Sequence, residues 1–303
     1  MQKVRRTMKI YGHCRFSYLG QTDTGRAVRS EEDAQALLWN PERMAVRFHL
    51  LENLMLPSLR AQTDQDFQMI LLTSERMPDI YQERLDAAVA GSPNLRVFRT
   101  DKTDVRVALR PIMLEANDDC TKPAVHFRLD DDDALCATYI EKLRACSSGL
   151  RPTTMITFPK GVMGYTDDPV ARHREFDKHA IAIGLALVYE PTRLRTPFQI
   201  QHLAYAREHP VYCDPTFPAY HYTRHSTNNT NGYDKRIHTS GGTVEIVARK
   251  SAEIHPEFRE GAVSTETAER YIAEAFPYTT GDALRKIIAD TLQPESLPGY
   301  GQD

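Results

Sequence analysis

The sequence predicts an α/β fold, because strand-like and helix-like stretches alternate over the first 130 residues. "FQMILLTS" at 67–74 is a nearly continuous apolar run, as expected of a strand covered on both faces. "NPERMAVRFHLLENLM" at 40–55 places apolar residues at helical spacing, whereas "AVHFRL" at 124–129 alternates apolar and polar residues as a strand does. This order of elements is typical of a doubly wound α/β layer.

The remaining elements of this layer follow from local signals. A first strand is expected in "MKIYGHCRFSY" at 8–18, and Asn40 and Pro41 are typical of the N-cap and first residue of a helix. A second helix at 78–91 ends at Gly91, a third strand is "NLRVFRT" at 94–100, and a helix over 104–119 is interrupted by Pro111.

The second half of the chain is expected to extend the same domain. The pattern predicts a helix at 134–146, strands at 153–158 and 184–189, and a helix at 196–208 with Thr196 as its cap. Tyr220, His221 and Tyr222 alternate as in a strand, so at least one should face the core. Two amphipathic helices, at 265–276 and 281–292, should pack on the sheet.

Composition limits the classes of function that the chain can serve. Its 303 residues carry a net charge of −3, which gives no general electrostatic basis for binding nucleic acid or anionic membranes. No apolar run approaches the ~20 residues of a membrane-spanning helix, and no signal peptide is evident. The five cysteines show no CxxC pair, which favours reduced thiols. We therefore expect a cytoplasmic protein without a transmembrane segment.

Four consecutive aspartates follow the predicted strand at 124–129. Asp130, Asp131, Asp132 and Asp133 repel one another at the carboxyl end of a strand, where ligands bind in α/β sheets. Helix capping explains one or two of them. Carboxylates at i and i+2 can also converge on Mg²⁺ or Mn²⁺, which complete their ligand shells with phosphate oxygens and water. Both interpretations stay open at this point.

Several other enzyme classes lack their motifs in this sequence. It has no GxxxxGK[ST], no GxGxxG after a strand, no HExxH and no GxSxG. P-loop hydrolysis, nicotinamide chemistry, zincin proteolysis and the α/β-hydrolase mechanism therefore have no support here. What survives is metal-held diphosphate chemistry at a strand end.

Four segments in order carry a resemblance to a known family. "RLDDDDAL" at 128–135 resembles the DxD motif of glycosyltransferases with the GT-A fold. "RFSYLG" at 15–20, "LPSLRAQTDQDFQMILL" at 56–72 and "HSTNNTNG" at 225–232 resemble the family of putative rhamnosyl transferases. The resemblance implies a GT-A-like, Rossmann-like mixed sheet flanked by helices, with a helical C-terminal extension.

The resemblance also implies a division of the chain. Residues 1–242 would form the glycosyltransferase domain, with a nucleotide-binding half at about 8–135 and an acceptor half at 136–242. Residues 243–303 would form the helical extension, packed on the same domain.

Roles for individual residues follow from the same resemblance. Asp130 and Asp132 match the DxD pair, with Asp132 as a metal ligand and Asp130 at the metal or the ribose, and His225 would be a further metal ligand. Contacts with the donor nucleotide sugar are expected from Arg15, Phe16, Ser17, Arg43, Arg128, Asp130, Asp131, Asp133 and Asn228. Phe16 is equally compatible with a place in the core, and Arg128 with a place on the sheet face.

The implied reaction moves a sugar from a nucleotide-diphosphate sugar to an acceptor hydroxyl. The family's name suggests rhamnose, the donor would be UDP- or dTDP-linked, and the cation would be Mn²⁺ or Mg²⁺. An inverting reaction needs a carboxylate as base. We expect Asp214 in this role and Asp168 as the alternative, with Asp167, Asp177 and Glu190 as further candidates.

Two other functions remain compatible with the sequence. A nucleotidyl- or phosphotransferase could use the same aspartates on a nucleoside triphosphate. A non-catalytic binding module could hold a structural cation in the acidic loop. In the second case, metal should raise stability and nucleotide should add nothing.

Overall fold

The computed structural model describes residues 8–20, 30–116, 124–167, 170–189, 196–199, 202–225 and 264–301. Its strands are β1 Ile10–Arg15, β2 Gln68–Ser74, β3 Leu95–Thr100, β4 Val125–Arg128, β5 Ala134–Leu135, β6 Met155–Thr157, β7 Lys160–Asp167, β8 Val170–Asp177, β9 Ala186–Val188, β10 Val211–Cys213 and β11 Tyr220–Arg224. Its α-helices are α1 Glu31–Leu38, α2 Pro41–Leu50, α3 Leu56–Arg60, α4 Asp79–Val89, α5 Val105–Ala116, α6 Tyr139–Ser147, α7 His202–Glu208, α8 Glu266–Ala275 and α9 Gly281–Asp290. A π-helical segment, Leu51–Met55, joins α2 to α3.

The described strands form two sheets. The first has seven strands in the order β10-β6-β9-β4-β1-β2-β3, and the second has four in the order β5-β11-β7-β8. In the first sheet β1, β2, β3 and β4 are parallel, whereas β9 runs antiparallel to β4 and β6. The predicted α/β fold with a mixed sheet flanked by helices is therefore confirmed.

The parallel strands place their carboxyl ends at one edge of the first sheet. Tyr11 pairs with Gln68 on β2 and with His126 on β4, so β1 lies at the centre of this parallel part. Helix α2 covers one face of it and begins as predicted, because Asn40 accepts a hydrogen bond from the Arg43 amide and Pro41 follows. The first turn of α2 thus lies near the strand ends.

Several predicted elements differ in the structure. The helix expected at 134–146 begins only at Tyr139, because Ala134 and Leu135 pair with β11 and the Cys136 amide donates to the Ala219 carbonyl. The pattern between 196 and 208 contains a short 3₁₀ turn, Pro197–Gln199, and then α7 instead of one continuous helix. Pro111 lies inside α5. Helix α1 and the hairpin of β7 and β8 were not predicted.

The C-terminal helices α8 and α9 pack on one face of the second sheet. The Thr265 amide donates to the His173 carbonyl on β8, and a side chain at Gly164 on β7 would collide with Ile288 of α9. Both helices begin with a threonine N-cap, Thr265 and Thr280. The predicted helical extension is present, while the division of the chain at 242 and 243 falls outside the described residues and stays a prediction.

No helix in the part of the chain that the structure describes combines the length and the apolar character needed to cross a membrane.

Two buried histidines, on the neighbouring strands β1 and β4, make the stability of the fold sensitive to acid. His13 Nε2 and His126 Nδ1 lie 2.9 Å apart, and both side chains are fully buried. Burial lowers the pKa of His13 to about 3 and the pKa of His126 well below its ordinary value. The unfolded chain binds protons below about pH 6.5 while the folded pair does not, so stability should fall as pH drops from about 6.5 towards 3.

We therefore expect the urea midpoint of unfolding to be lower at pH 5 than at pH 7. Between pH 7 and pH 5 the double variant His13→Asn/His126→Asn should lose less unfolding free energy than the wild type. The difference should be up to about 1.4 kcal/mol per pH unit for each histidine. His179→Asn, at an exposed position, is the matched control and should keep the wild-type dependence. An unchanged pH dependence in the double variant would contradict this account.

Candidate active site

The four aspartates lie in a tight turn at the carboxyl end of β4. The Asp133 amide donates to the Asp130 carbonyl at 3.3 Å, and the chain then enters β5, which pairs with β11. Asp131, Asp132 and Asp133 are buried, whereas the Asp130 side chain is 34% exposed. The turn therefore presents one carboxylate to solvent and holds three inside the protein.

Arg47 of α2 binds two of these carboxylates. Its Nε donates to Asp131 Oδ2 at 2.9 Å, its Nη2 forms an ion pair with the same carboxylate, and its Nη1 donates to Asp132 Oδ2 at 2.7 Å. The Arg47 side chain is only 8% exposed. Such charge-assisted bonds in a buried place fix the geometry of the acceptors. One guanidinium thus links α2 to the acidic turn.

His225, directly after β11, reaches the same carboxylate. Its Nε2 lies 3.0 Å from Asp132 Oδ2. Thr223 lies one residue before the end of β11 and makes two hydrogen bonds to the turn. Its hydroxyl donates to the Asp132 carbonyl, and its amide donates to Asp133 Oδ1 at 3.0 Å. The end of β11 is therefore bonded to the acidic turn through both backbone and side chains.

The surroundings separate the pKa values of neighbouring carboxyls. Burial alone would raise the pKa of Asp132, but the charge of Arg47 and the hydrogen bond from His225 outweigh it and hold this pKa well below the usual range. Burial, together with the charges of Asp132 and Asp130, raises the pKa of Asp133 well above its ordinary value. Burial lowers the pKa of His225, against the effect of Asp132.

The structure explains how four aspartates can share one turn. Arg47 pairs with two carboxylates, Arg128 donates to Asp130 at 3.2 Å, and Asp133 accepts a hydrogen bond from the Thr223 amide. Guanidiniums and a backbone donor therefore offset the repulsion among the four side chains.

The donor set is compatible with a divalent cation at Asp132 and His225. Asp132 Oδ2 and His225 Nε2 lie 3.0 Å apart as a hydrogen-bonded pair, and Arg47 Nη1 donates to the same oxygen at 2.7 Å. Among the described residues no group of three or more His, Cys, Asp or Glu side chains is arranged to hold a metal. A divalent cation held by this carboxylate and imidazole would therefore take its remaining ligands from phosphate oxygens and water.

Two residues that follow β1, Phe16 and Ser17, lie in different surroundings. Ser17 has a positive φ of 43°, its Oγ accepts from Arg43 Nη1 at 2.9 Å, and its carbonyl accepts from Trp39 Nε1 at 3.2 Å. A serine held in this conformation is strained and is typical of functional loops. Phe16 is fully buried against Phe48, with ring centroids 4.8 Å apart, so it belongs to the core.

Arg15 and Arg128 share an aromatic partner on the opposite face of the sheet. The guanidinium carbons lie 4.6 Å and 5.0 Å from the ring centroid of Phe198. Such contacts hold guanidiniums in place without neutralising their charge. Two cations are therefore positioned at the carboxyl ends of β1 and β4.

Asp214 is distant from this cluster. It follows β10, three strands from β4, and at about 4.8 Å per strand this corresponds to roughly 14 Å. Its Oδ1 accepts hydrogen bonds from the amide and the hydroxyl of Thr216, at 2.9 and 2.6 Å, which stabilise its own turn. Asp168, Glu190 and Asn228 lie outside the described residues.

Sequence reasoning did not identify Arg47, Thr223 and Phe198. A signal for Arg47 was present, because Arg43 and Arg47 are four residues apart and share the face of α2 nearest the strand ends. Thr223 acts largely through its backbone position, and Phe198 is far from the motif in sequence. Neither carries a pattern that composition or spacing would reveal.

Comparison with known proteins gives a family and distant structural likenesses. The family described as putative rhamnosyl transferase matches residues 9–236. No curated protein matches the chain. Among solved structures, S. aureus TarS 1-349 in complex with UDP is similar at 10% identity and a TM-score of 0.39, over 72% of this chain and 61% of that one. A second structure of S. aureus TarS 1-349 is similar at 12% identity and a TM-score of 0.37, over 71% of this chain and 60% of that one.

The described residues form a mixed α/β fold whose charged site lies at the carboxyl ends of the parallel strands. The family match covers most of the chain. The protein belongs to the putative rhamnosyl transferase family.

Replacing Arg47 should destabilise the fold strongly. Arg47→Met would leave Asp131 and Asp132 buried without their cation, which costs about 3–5 kcal/mol of unfolding free energy. Arg47→Lys keeps the charge but lacks the planar guanidinium that donates to both Asp131 and Asp132, so its loss of unfolding free energy should be intermediate. Arg110→Met, at an exposed position of α5, is the control. Denaturant unfolding measures all three, and a loss below about 0.5 kcal/mol for Arg47→Met would contradict the described role.

Proposed function

We propose that this protein transfers a sugar from a nucleotide-diphosphate sugar to an acceptor hydroxyl at the edge formed by Asp130–Asp133 and His225. The observation that carries the proposal is the convergence of Asp132, His225 and Arg47 at the carboxyl end of β4. The family match supports the transfer of a glycosyl group. Rhamnose is the sugar that the family's description suggests.

In this reaction the acceptor oxygen attacks the anomeric carbon of the donor sugar. The bond from that carbon to the diphosphate breaks, its electron pair leaves with the phosphate oxygen, and the hydroxyl proton passes to a base. A divalent cation bound at the site would supply positive charge to the departing diphosphate. The products are a glycoside and a nucleoside diphosphate.

The residues of the chain prepare this site in distinct ways. Arg47 fixes the Asp132 carboxylate against His225, so that both donors face one point before any ligand arrives. Arg15 and Arg128 are held over Phe198 at the neighbouring strand ends, and Arg128 also pairs with Asp130. Their guanidiniums would donate hydrogen bonds to phosphate oxygens of the donor. Ser17 and Arg43 form a polar corner after β1, where we place the nucleoside.

We assign an inverting outcome with Asp214 as base, with Asp168 as the alternative. Asp214 lies at the same carboxyl edge of the sheet, since β10 is parallel to β6 and β6 is parallel to β4 through β9. The acceptor oxygen must contact both this carboxylate and the anomeric carbon, so the donor sugar would extend from the acidic turn towards β10 across the roughly 14 Å between them.

Nucleotide binding should depend on both metal and Asp132. In thermal unfolding with Mn²⁺ and UDP, dTDP, GDP or CDP, one nucleoside diphosphate at about 100 times its dissociation constant should add about 2.7 kcal/mol, a shift of several degrees. The shift should need Mn²⁺ and disappear in Asp132→Asn. The control Asp66→Asn removes an exposed carboxylate and should keep it.

Other results of this experiment would point to the alternatives. If Mn²⁺ alone raises the melting temperature and every nucleotide leaves it unchanged, the turn holds a structural cation and the proposal is wrong. A response to nucleoside triphosphates but not to diphosphates would favour a nucleotidyltransferase.

The assignment of Asp214 is tested by the release of nucleoside diphosphate from the donor that the melting screen selects. As the base, Asp214→Asn should lower turnover by about 10²- to 10⁴-fold and leave the nucleotide-induced melting shift unchanged. Thr216→Val removes the hydroxyl that bonds to this carboxylate and keeps the carboxylate itself, so it separates turn stability from chemistry. Turnover within a few-fold of wild type in Asp214→Asn would exclude the assignment.

A further inference from the structure

The last part of the chain contacts the three elements that surround Asp132. We call residues 264–301, which contain α8 and α9, the C-terminal segment. The family match ends at residue 236, so this segment lies beyond it. Its contacts reach α2, the chain that follows the acidic turn, and the second sheet.

The end of α9 is bonded to α2. His49 Nε2 donates to the Ile287 carbonyl at 2.9 Å, and His49 Nδ1 accepts from the Asn53 side-chain amide at 3.4 Å. The Ile287 carbonyl belongs to the last turn of α9, where carbonyls lack partners within the helix. His49 therefore caps α9, and it lies two residues from Arg47 on the same helix.

The end of α8 is bonded to the chain that follows the acidic turn. The carbonyl of Ala275, the last residue of α8, accepts from the Ala137 amide at 2.9 Å. The Tyr278 hydroxyl donates to the Leu135 carbonyl at 3.3 Å. Leu135 lies two residues after Asp133, so these two bonds fix the chain where it leaves the turn.

The same segment packs on the side of the second sheet that faces Asp132. His221, Thr223 and His225 are at alternating positions, so their side chains point to one side. On this side Phe276, directly after α8, lies against His221 with ring centroids 6.2 Å apart. The Thr223 hydroxyl and His225 Nε2 reach Asp132 from there. The C-terminal segment therefore supports the strand that brings His225 to the turn.

These contacts constrain the position of Asp132. Arg47 Nη1 and His225 Nε2 lie 2.7 and 3.0 Å from Asp132 Oδ2. A movement of about 0.5–1 Å by either partner would break such a bond. Because the C-terminal segment is bonded to α2 and to the chain after the turn, and packs behind β11, it opposes the relative movements of these elements.

We propose that the C-terminal segment positions the candidate active site, with His49 and Tyr278 as positioning residues that act through Arg47 and the acidic turn. This inference rests on the proposed transferase function, and it extends the site to residues beyond the family match.

Binding of a nucleoside diphosphate to the full chain with Mn²⁺ tests this inference by calorimetry. The probe is whichever of UDP, dTDP, GDP or CDP produces the melting shift. His49→Leu loses the bond to Ile287 and should raise the dissociation constant about fivefold or more. His49→Gln can still donate to this carbonyl and should restore a value within about twofold of wild type. Tyr278→Phe removes only a hydroxyl group, which the fold should tolerate, and should raise the dissociation constant about threefold or more.

The control is Ile112→Val, which shortens a buried side chain of α5 away from the C-terminal segment. It should lower the urea midpoint of unfolding and leave the dissociation constant at the wild-type value. Comparison with this variant separates an effect on the site from an effect on stability.

Hydrogen exchange gives a second readout that needs no ligand. The Thr223 amide donates to Asp133 Oδ1 at 3.0 Å, so its exchange reports local opening of the turn. Its rate is measured relative to that of the Leu71 amide of β2, which reports global unfolding. In His49→Leu and Tyr278→Phe the relative rate should rise about fivefold, and in the control it should not change.

Two results would overturn the inference. A dissociation constant that is unchanged in both His49→Leu and Tyr278→Phe would show that the segment stabilises the fold without controlling the site. A dissociation constant that rises equally in Ile112→Val would show that lost stability alone explains the change. If no nucleotide binds to the wild type with Mn²⁺, the transferase proposal itself fails. The Thr223 exchange then decides about the positioning of the turn: faster exchange in the two variants supports it, and unchanged exchange overturns it.

Discussion

The ion pairs of Arg47 with Asp131 and Asp132 are the constraint on which the rest of the site depends. They join helix α2 to the turn after β4, and both the guanidinium and the two carboxylates are buried. Without them, two carboxylates would lie buried without a cation, at a cost of several kcal/mol. With them, Asp132 is fixed in the position where His225 and the end of β11 can meet it.

The site therefore brings together four segments that are distant in sequence. Strand β1 and the residues after it supply Arg15 and Ser17, helix α2 supplies Arg43 and Arg47, the turn after β4 supplies the aspartates, and β11 leads to His225. The parallel strands bring their carboxyl ends to one edge, and the second sheet brings the end of β11 to the same place. Preformed charge at this edge suits a reaction in which a diphosphate departs.

Sequence reasoning predicted the local elements better than their long-range partners. The N-cap at Asn40, strands β2, β3 and β4 and the two C-terminal helices carry their signals within a few residues, and the structure confirms them. The stretch "ALCATY" favours a helix locally, but Ala134 and Leu135 form β5 because they pair with β11. The run of four aspartates marks the acidic turn in the sequence. Its ion pair with Arg47 joins residues 84 positions apart, which no local pattern encodes.

The most direct test of this account is a crystal structure of the protein with Mn²⁺ and the nucleoside diphosphate that stabilises it, with the metal located by its anomalous scattering. We expect one manganese bound to Asp132 and His225, its other ligands from phosphate and water, and Arg47 still bonded to both Asp131 and Asp132. A manganese between Asp130 and Asp131 with Arg47 displaced, or none near Asp132, would contradict the central claim that Arg47 prepares a one-cation site.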